Sequence, residues 1–310
     1  MMSSKVKSPA RGNKWILFFI VWIILCAVIL QSLLQDSSHL ITASFTFIVG
    51  MFVPVLIYLR FTRQTFKDAL AWRVLNTENT LLTIVMSIAV VPMMFLAMYL
   101  LSFVFRWQSI ELANERTATY AIWIPWLTGV LYPSIFEELM YRGVILNEYH
   151  GHKHGVSIAK TAIISGVFFG LKHMNLHQAI YAALVGILLA YMMYYTRSVI
   201  APILSHALIN ATFVLSEQVA ILRNFTNGLI DGSASHLLIL VGISLAMIPV
   251  LLICLKKLKA YYIKTASLHE PEPDVSDSKD AVVIKPKVLT WAFWAAVILL
   301  VALTALNDLG

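Results

Sequence analysis

The sequence predicts an all-α, polytopic membrane bundle of about eight to nine spans. Two observations carry that prediction. Of the 310 residues, 59% are hydrophobic and 13% charged, where a soluble domain carries about 25% charged residues. Mean hydropathy is +0.79. The apolar residues also fall in blocks of roughly twenty, each long enough to cross ~30 Å of hydrocarbon, whereas a β-barrel would alternate over segments of about ten.

Nine candidate spans follow in order, at about 15–34, 41–59, 81–105, 121–146, 156–174, 178–196, 198–215, 237–255 and 288–306. The fourth is long and is expected to tilt, or to break near Pro133. Residues 63–78, RQTFKDALAWRVLNTE, mix charge with Phe66, Leu70, Trp72 and Leu75 and read as an interfacial amphipathic helix. Residues 260–287 are polar and Pro-rich, and read as a flexible linker to a last span outside the functional core. The chain thus divides into N-terminal membrane helices with the amphipathic segment (1–119), a core (120–215), and C-terminal helices with the linker (216–310). No internal repeat of the transporter kind is visible.

Charge sets the expected orientation. Lys5, Lys7, Arg11 and Lys14 precede the first span, Arg60, Arg63, Lys67 and Arg73 follow the second, and Lys256, Lys257 and Lys259 follow the eighth. Connections such as QDSSHL at 35–40 are poor in Lys and Arg, so the N-terminus is expected in the cytoplasm and the C-terminus outside. The net charge of +7 then reflects this cytoplasmic excess rather than nucleic-acid binding. No cleavable signal peptide is expected, because the first block is too long and no A-x-A site follows it. Cys26 and Cys254 both lie in apolar blocks, which excludes a disulfide framework or a cysteine-built metal site.

Ionisable residues inside spans are costly, and mark functional sites by default. They concentrate in three spans: Glu137, Glu138 and Arg142 in the fourth, Lys172 and His173 in the fifth, His206 and Asn210 in the seventh. Three helices facing their polar groups toward one another would build one pocket shielded from lipid. Glu138 and Arg142 are four apart, share a helix face and can pair. Glu137 is turned about 100° away and is left for another partner. The spacing therefore suggests structure for Glu138 with Arg142 and chemistry for Glu137, the alternative being that all three form a packing network between helices. Phe169 with His173, and His206 with Asn210, repeat the four-residue spacing. Depth agrees for three of the four polar groups. At ~1.5 Å per residue, Glu137 and Asn210 lie about 18 Å from their cytoplasmic helix ends and His206 about 12 Å, whereas His173 lies about 27 Å in.

Two chemistries suit a Glu, two His and an Asn in a half-buried pocket. A poorly solvated carboxylate can take a proton from water, with one His sharing that work and the other His and Asn210 donating to the oxyanion of a peptide carbonyl. Alternatively Glu137, His173 and His206 can ligate zinc, with water as the fourth ligand. Both lead to amide hydrolysis, and the residues alone leave both open.

Taken in order, Glu137-Glu138-Leu-Met-Tyr-Arg142, Phe169-Gly-Leu-Lys-His173 and His206-Ala-Leu-Ile-Asn210, each on a membrane helix, resemble the CAAX-protease and bacteriocin-processing family, that of the type II CAAX prenyl endopeptidase. The resemblance covers about residues 120–215. It implies an intramembrane endopeptidase with a helical core, Glu137 and His173 as the water-activating pair, and His206 and Asn210 as an oxyanion clamp. Glu138, Arg142 and Phe169 are expected to support them. The family has been described both as metalloproteases and as metal-independent glutamate proteases. The second reading is preferred, with no cofactor, and zinc on Glu137, His173 and His206 is the alternative. Its eukaryotic members trim prenylated C-termini; bacterial members are associated with peptide maturation, bacteriocin immunity and secretion. The implied partners are a membrane-associated protein or peptide and the lipid bilayer, with no nucleic acid, and the implied location is a bacterial plasma membrane. Nothing in these residues requires a prenyl group.

Rival signatures are weak. There is no H-E-x-x-H, Ser244 in GISLA reads as small-residue packing, and His150, His152 and His154 in YHGHKHG read as a solvated loop. The different-class alternative is a non-enzymatic membrane protein: a transporter, or a binding or immunity factor using the pocket for recognition.

Overall fold

The computed structural model describes residues 7–105, 121–150, 156–266 and 287–309. All of the regular structure in these residues is helical. Helix α1 (Pro9–Leu33) starts where the Ser8 hydroxyl accepts from the Arg11 N–H and Pro9 fills the first turn. Helix α2 (His39–Thr62) takes a wide π turn at Ile48–Phe52 just before Pro54, whose missing N–H a regular turn would need. A short α3 (Phe66–Leu70) leads to α4 (Thr77–Ser102), which Asn76 caps through the Asn79 N–H. Then come α5 (126–150), α6 (Ile158–Leu171), α7 (Leu176–Thr196), α8 (Ile200–Gln218), α9 (Ala220–Ile230), α10 (Ala234–Ala266) and α11 (Trp291–Leu309).

Six of the described helices are long and apolar enough to cross a membrane by length and composition. All nine expected spans appear as helix, but α6 and α11 are shorter than that standard and α5 alternates π and α segments. Helix α6 has only 14 residues, ~21 Å, because the chain turns over at Lys172–Asn175, with Met174 left-handed at φ 52°. Asn175 caps the next helix through the Gln178 N–H.

Three expectations are corrected. The amphipathic helix over 63–78 reduces to Phe66–Leu70. Ala71 is left-handed there, its carbonyl takes the Val199 N–H, and the Arg73 carbonyl takes the Ser198 hydroxyl, so the chain is drawn out to dock on the start of α8. The linker does not begin at 260, since α10 stays helical to Ala266. Helix α5 does not break at Pro133; it absorbs the proline by widening into π turns on either side of Tyr132–Glu138. Helix α9, which the span reading did not anticipate, runs directly after α8.

Helices α6 and α7 form the tightest hairpin, through small residues. A Cβ at Gly170 would lie 2.2 Å from the Ala179 carbonyl, and one at Gly166 2.7 Å from that of Ala183. This is the small-xxx-small packing that brings membrane helices close. At one end of the bundle the first helix is clamped to α5. Glu148 is fully buried and takes Arg11 Nε and Nη2, both at 2.8 Å, and the Tyr58 hydroxyl at 2.7 Å. The Tyr149 hydroxyl bonds Asn13, which in turn donates to Val288 and Thr290 ahead of α11.

Candidate active site

Helices α4 to α8, with the α6–α7 turn, line a cavity of about 280 Å³. Glu137, Phe169, His173, His206 and Asn210 all line it, so the polar residues of three spans come to one place. Met94, Gln178, Tyr181 and Val185 complete much of the wall. Sequence reasoning had no handle on these four, because they belong to the site only through helix packing.

Glu138 and Arg142 pair as their spacing predicts, at 2.8 Å and with both side chains fully buried. Arg142 also donates Nη2 to the Gly186 carbonyl at 2.8 Å, and its guanidinium lies 4.3 Å over the Phe169 ring. A Cβ at Gly186 would sit 3.1 Å from that Nη2, so a glycine is what admits the arginine. Phe169 is a hub, with Tyr141, His173 and His206 edge-on at 5.4, 5.7 and 5.6 Å and the Lys172 ammonium at 4.8 Å.

The remaining partners differ from the simplest reading of the sequence. His206 Nδ1 lies 2.9 Å from Glu138 Oε1, so its carboxylate partner is Glu138. Glu137 is not free: Lys172 Nζ stands 2.5 Å from its Oε1. His173 is not on a helix. It lies two residues past the end of α6, with Nδ1 3.1 Å from the Gly170 carbonyl. The helix shortening removes the depth mismatch, since His173 is carried inward on a helix of ~21 Å rather than on a full span.

These contacts fix tautomers. A carbonyl and a carboxylate can only accept, so each histidine carries a proton on Nδ1 and leaves Nε2 for other partners. Asn210 is placed by a feature of α5. In a regular α-helix the Gly129 carbonyl would accept from residue 133, which is a proline without an N–H. Asn210 Nδ2 donates to that carbonyl instead, at 3.0 Å. The pairing of Pro133 with Gly129 was readable in the sequence; its link to Asn210 was not.

The zinc alternative can be set against the same geometry. Glu137, His173 and His206 share the cavity, but among the described residues no group of three His, Cys, Asp or Glu side chains is gathered tightly enough to hold an ion. Glu137 is already engaged by an ammonium. The arrangement does not fit a three-ligand zinc site. His150 is described and bonds the Val156 carbonyl, whereas His152 and His154 lie outside the described residues. Ser244 sits within α10 and donates to the Leu240 carbonyl, as a packing residue would.

Residues 119–212 match the family Rce1-like, described as type II CAAX prenyl endopeptidase Rce1-like. The matched segment contains Glu137, Glu138, Arg142, Phe169, His173, His206 and Asn210. No curated protein and no solved structure matches the chain.

Proposed function

We propose that the chain is an intramembrane endopeptidase that hydrolyses a peptide bond of a membrane-associated protein or peptide with water activated by Glu137 and His173. The observation that carries this reading is the convergence of Glu137, His173, His206 and Asn210 on one cavity. The family match to residues 119–212 supports a protease whose substrate is held at the membrane.

The chemistry follows from the contacts. Lys172 occupies Oε1 of Glu137, which leaves Oε2 without a protein hydrogen bond among the described residues. Water between Oε2 and His173 Nε2 gives its proton to Glu137 and attacks the peptide carbonyl. Asn210 retains one Nδ2 proton for the oxyanion. His206, held by Glu138 at Nδ1, stands beside it as the other polar part of the cavity wall. The C–N bond then breaks as Glu137 returns the proton to the leaving amine. Every step uses protein groups and water. The location follows from the same reading: an integral protein of a bacterial plasma membrane with the N-terminus, and so the Glu148–Arg11 end, in the cytoplasm.

The test is cleavage of a peptide library by the purified full chain in detergent, beside Glu137→Gln and His173→Ala. Loss of cleavage in both folded variants is expected, and cleavage that survives both rejects the site. A parent that cleaves nothing favours a binding protein. Repeating the assay with a chelator, and measuring bound metal, separates a glutamate mechanism from a zinc one: unchanged activity without metal supports the first.

A further inference from the structure

One buried ionisable side chain near the cavity has no place in the three motifs. Lys172 occupies an unspecified position within F-x-x-x-H, and its aliphatic neighbours in that motif, Gly170 and Leu171, carry no charge. Its backbone N–H bonds back to the Phe168 carbonyl, so the residue is pinned at the last turn of α6. From there the ammonium reaches Glu137 Oε1 at 2.5 Å, with the two side chains 8% and 7% exposed. Behind it stands the Phe169 ring, 4.8 Å from Nζ, whose surroundings also hold Arg142. Carrier and partner thus both sit on hydrogen-bonded helical backbone: one at a helix end beside His173, the other on α5.

We infer that Lys172 is a positioning residue for Glu137, a role that rests on the reading of Glu137 as the base. A carboxylate on a helix facing a cavity has several rotamers and two equivalent oxygens. An ammonium on Oε1 selects one rotamer and differentiates the oxygens, leaving Oε2 as the one clear of the ammonium. The contact also ties Glu137 to the connector that carries His173, so the two water-activating groups are fixed by adjacent residues of one turn. A purely structural ion pair would be sealed from the cavity, whereas Glu137 lines it.

The discriminating experiment uses the full chain in detergent and compares Lys172→Ala and Lys172→Met with the parent and with Glu137→Gln, each checked for folding by its thermal unfolding midpoint. Lys172→Met, which keeps the side-chain volume without charge, is expected to lower kcat by about 10²-fold, the cost of a misplaced reacting group, with KM unchanged. Lys172→Ala is expected to lose kcat in the same way and to regain it when ethylammonium is added, because the small amine can enter the vacated space and restore the contact. Ethanol, of similar size, is expected to do nothing, and ethylammonium is expected to leave Glu137→Gln inactive. Parent-like kcat in either folded variant overturns the proposal, as does a loss in Lys172→Ala that ethylammonium does not reverse. If Glu137→Gln is dead while Lys172→Ala is fully active, only the role of Lys172 falls. If Glu137→Gln is active, the reading of the site beneath it falls.

Discussion

Replacing Gly170 with alanine should uncouple the site from the bundle while leaving the membrane helices in place. An added Cβ would lie 2.2 Å from the Ala179 carbonyl oxygen and 3.0 Å from both the Cβ and the N of Ala183. The nearest atom is backbone, so it cannot swing aside. Ordinary carbon–oxygen contact at about 3.2 Å requires α6 and α7 to part by about 1 Å, and overpacking of this kind costs about 1–3 kcal/mol. The Gly170 carbonyl also holds the His173 ring through Nδ1, so the displacement passes directly to a residue of the proposed water-activating pair. A misplacement of about 1 Å costs about 10²-fold in rate. The assay pairs denaturant titration in detergent with peptide cleavage. The expected result for Gly170→Ala is a modest loss of stability with a large loss of kcat. Gly242→Ala is the control, because nothing lies within 4 Å of the added Cβ, and it should be neutral or up to about 1 kcal/mol stabilising as a helical Gly-to-Ala change. If Gly170→Ala matches the parent in both stability and kcat, the hairpin does not set the position of His173.

Two further substitutions probe the buried charges. Arg142→Met leaves Glu138 fully buried with His206 as its remaining bonded partner among the described residues and should destabilise by about 3–5 kcal/mol in denaturant titration; a change under about 1 kcal/mol would mean the pair is no better than a surface one. Glu148→Ala removes the buried carboxylate that joins Arg11 and the Tyr58 hydroxyl, and should cost about 3–5 kcal/mol in the same assay while leaving KM of the remaining folded protein unchanged. A parent-like unfolding curve would show that the N-terminal helix is not held there.

The parts legible in the sequence are those set by spacing along one helix. Glu138 and Arg142 were visible as a pair because four residues make one turn, and the apolar blocks were visible because bilayer thickness fixes their length. Contacts between helices were not. Lys172 lies 35 positions from Glu137 and His206 lies 68 from Glu138, and no periodicity within one span encodes either contact. The sequence therefore left Glu137 unpartnered and placed His173 too deep. The early end of α6 had one readable signal, Asn175 as a helix cap, but an apolar run on both sides hid it. The segment at 63–78 misled for a related reason: its apolar residues repeat as on an interfacial helix, yet Ala69 and Leu70 are fully buried, with Leu70 against Gly143, and the rest is drawn out toward α8.

The central claim is that Glu137 takes the proton from the attacking water. It is tested most directly by kcat/KM of Glu137→Gln toward a peptide that the parent cleaves, measured on protein whose unfolding curve matches the parent. The isosteric amide cannot accept that proton, so cleavage should fall to the level without enzyme. Cleavage by Glu137→Gln at the rate of the parent would contradict the account.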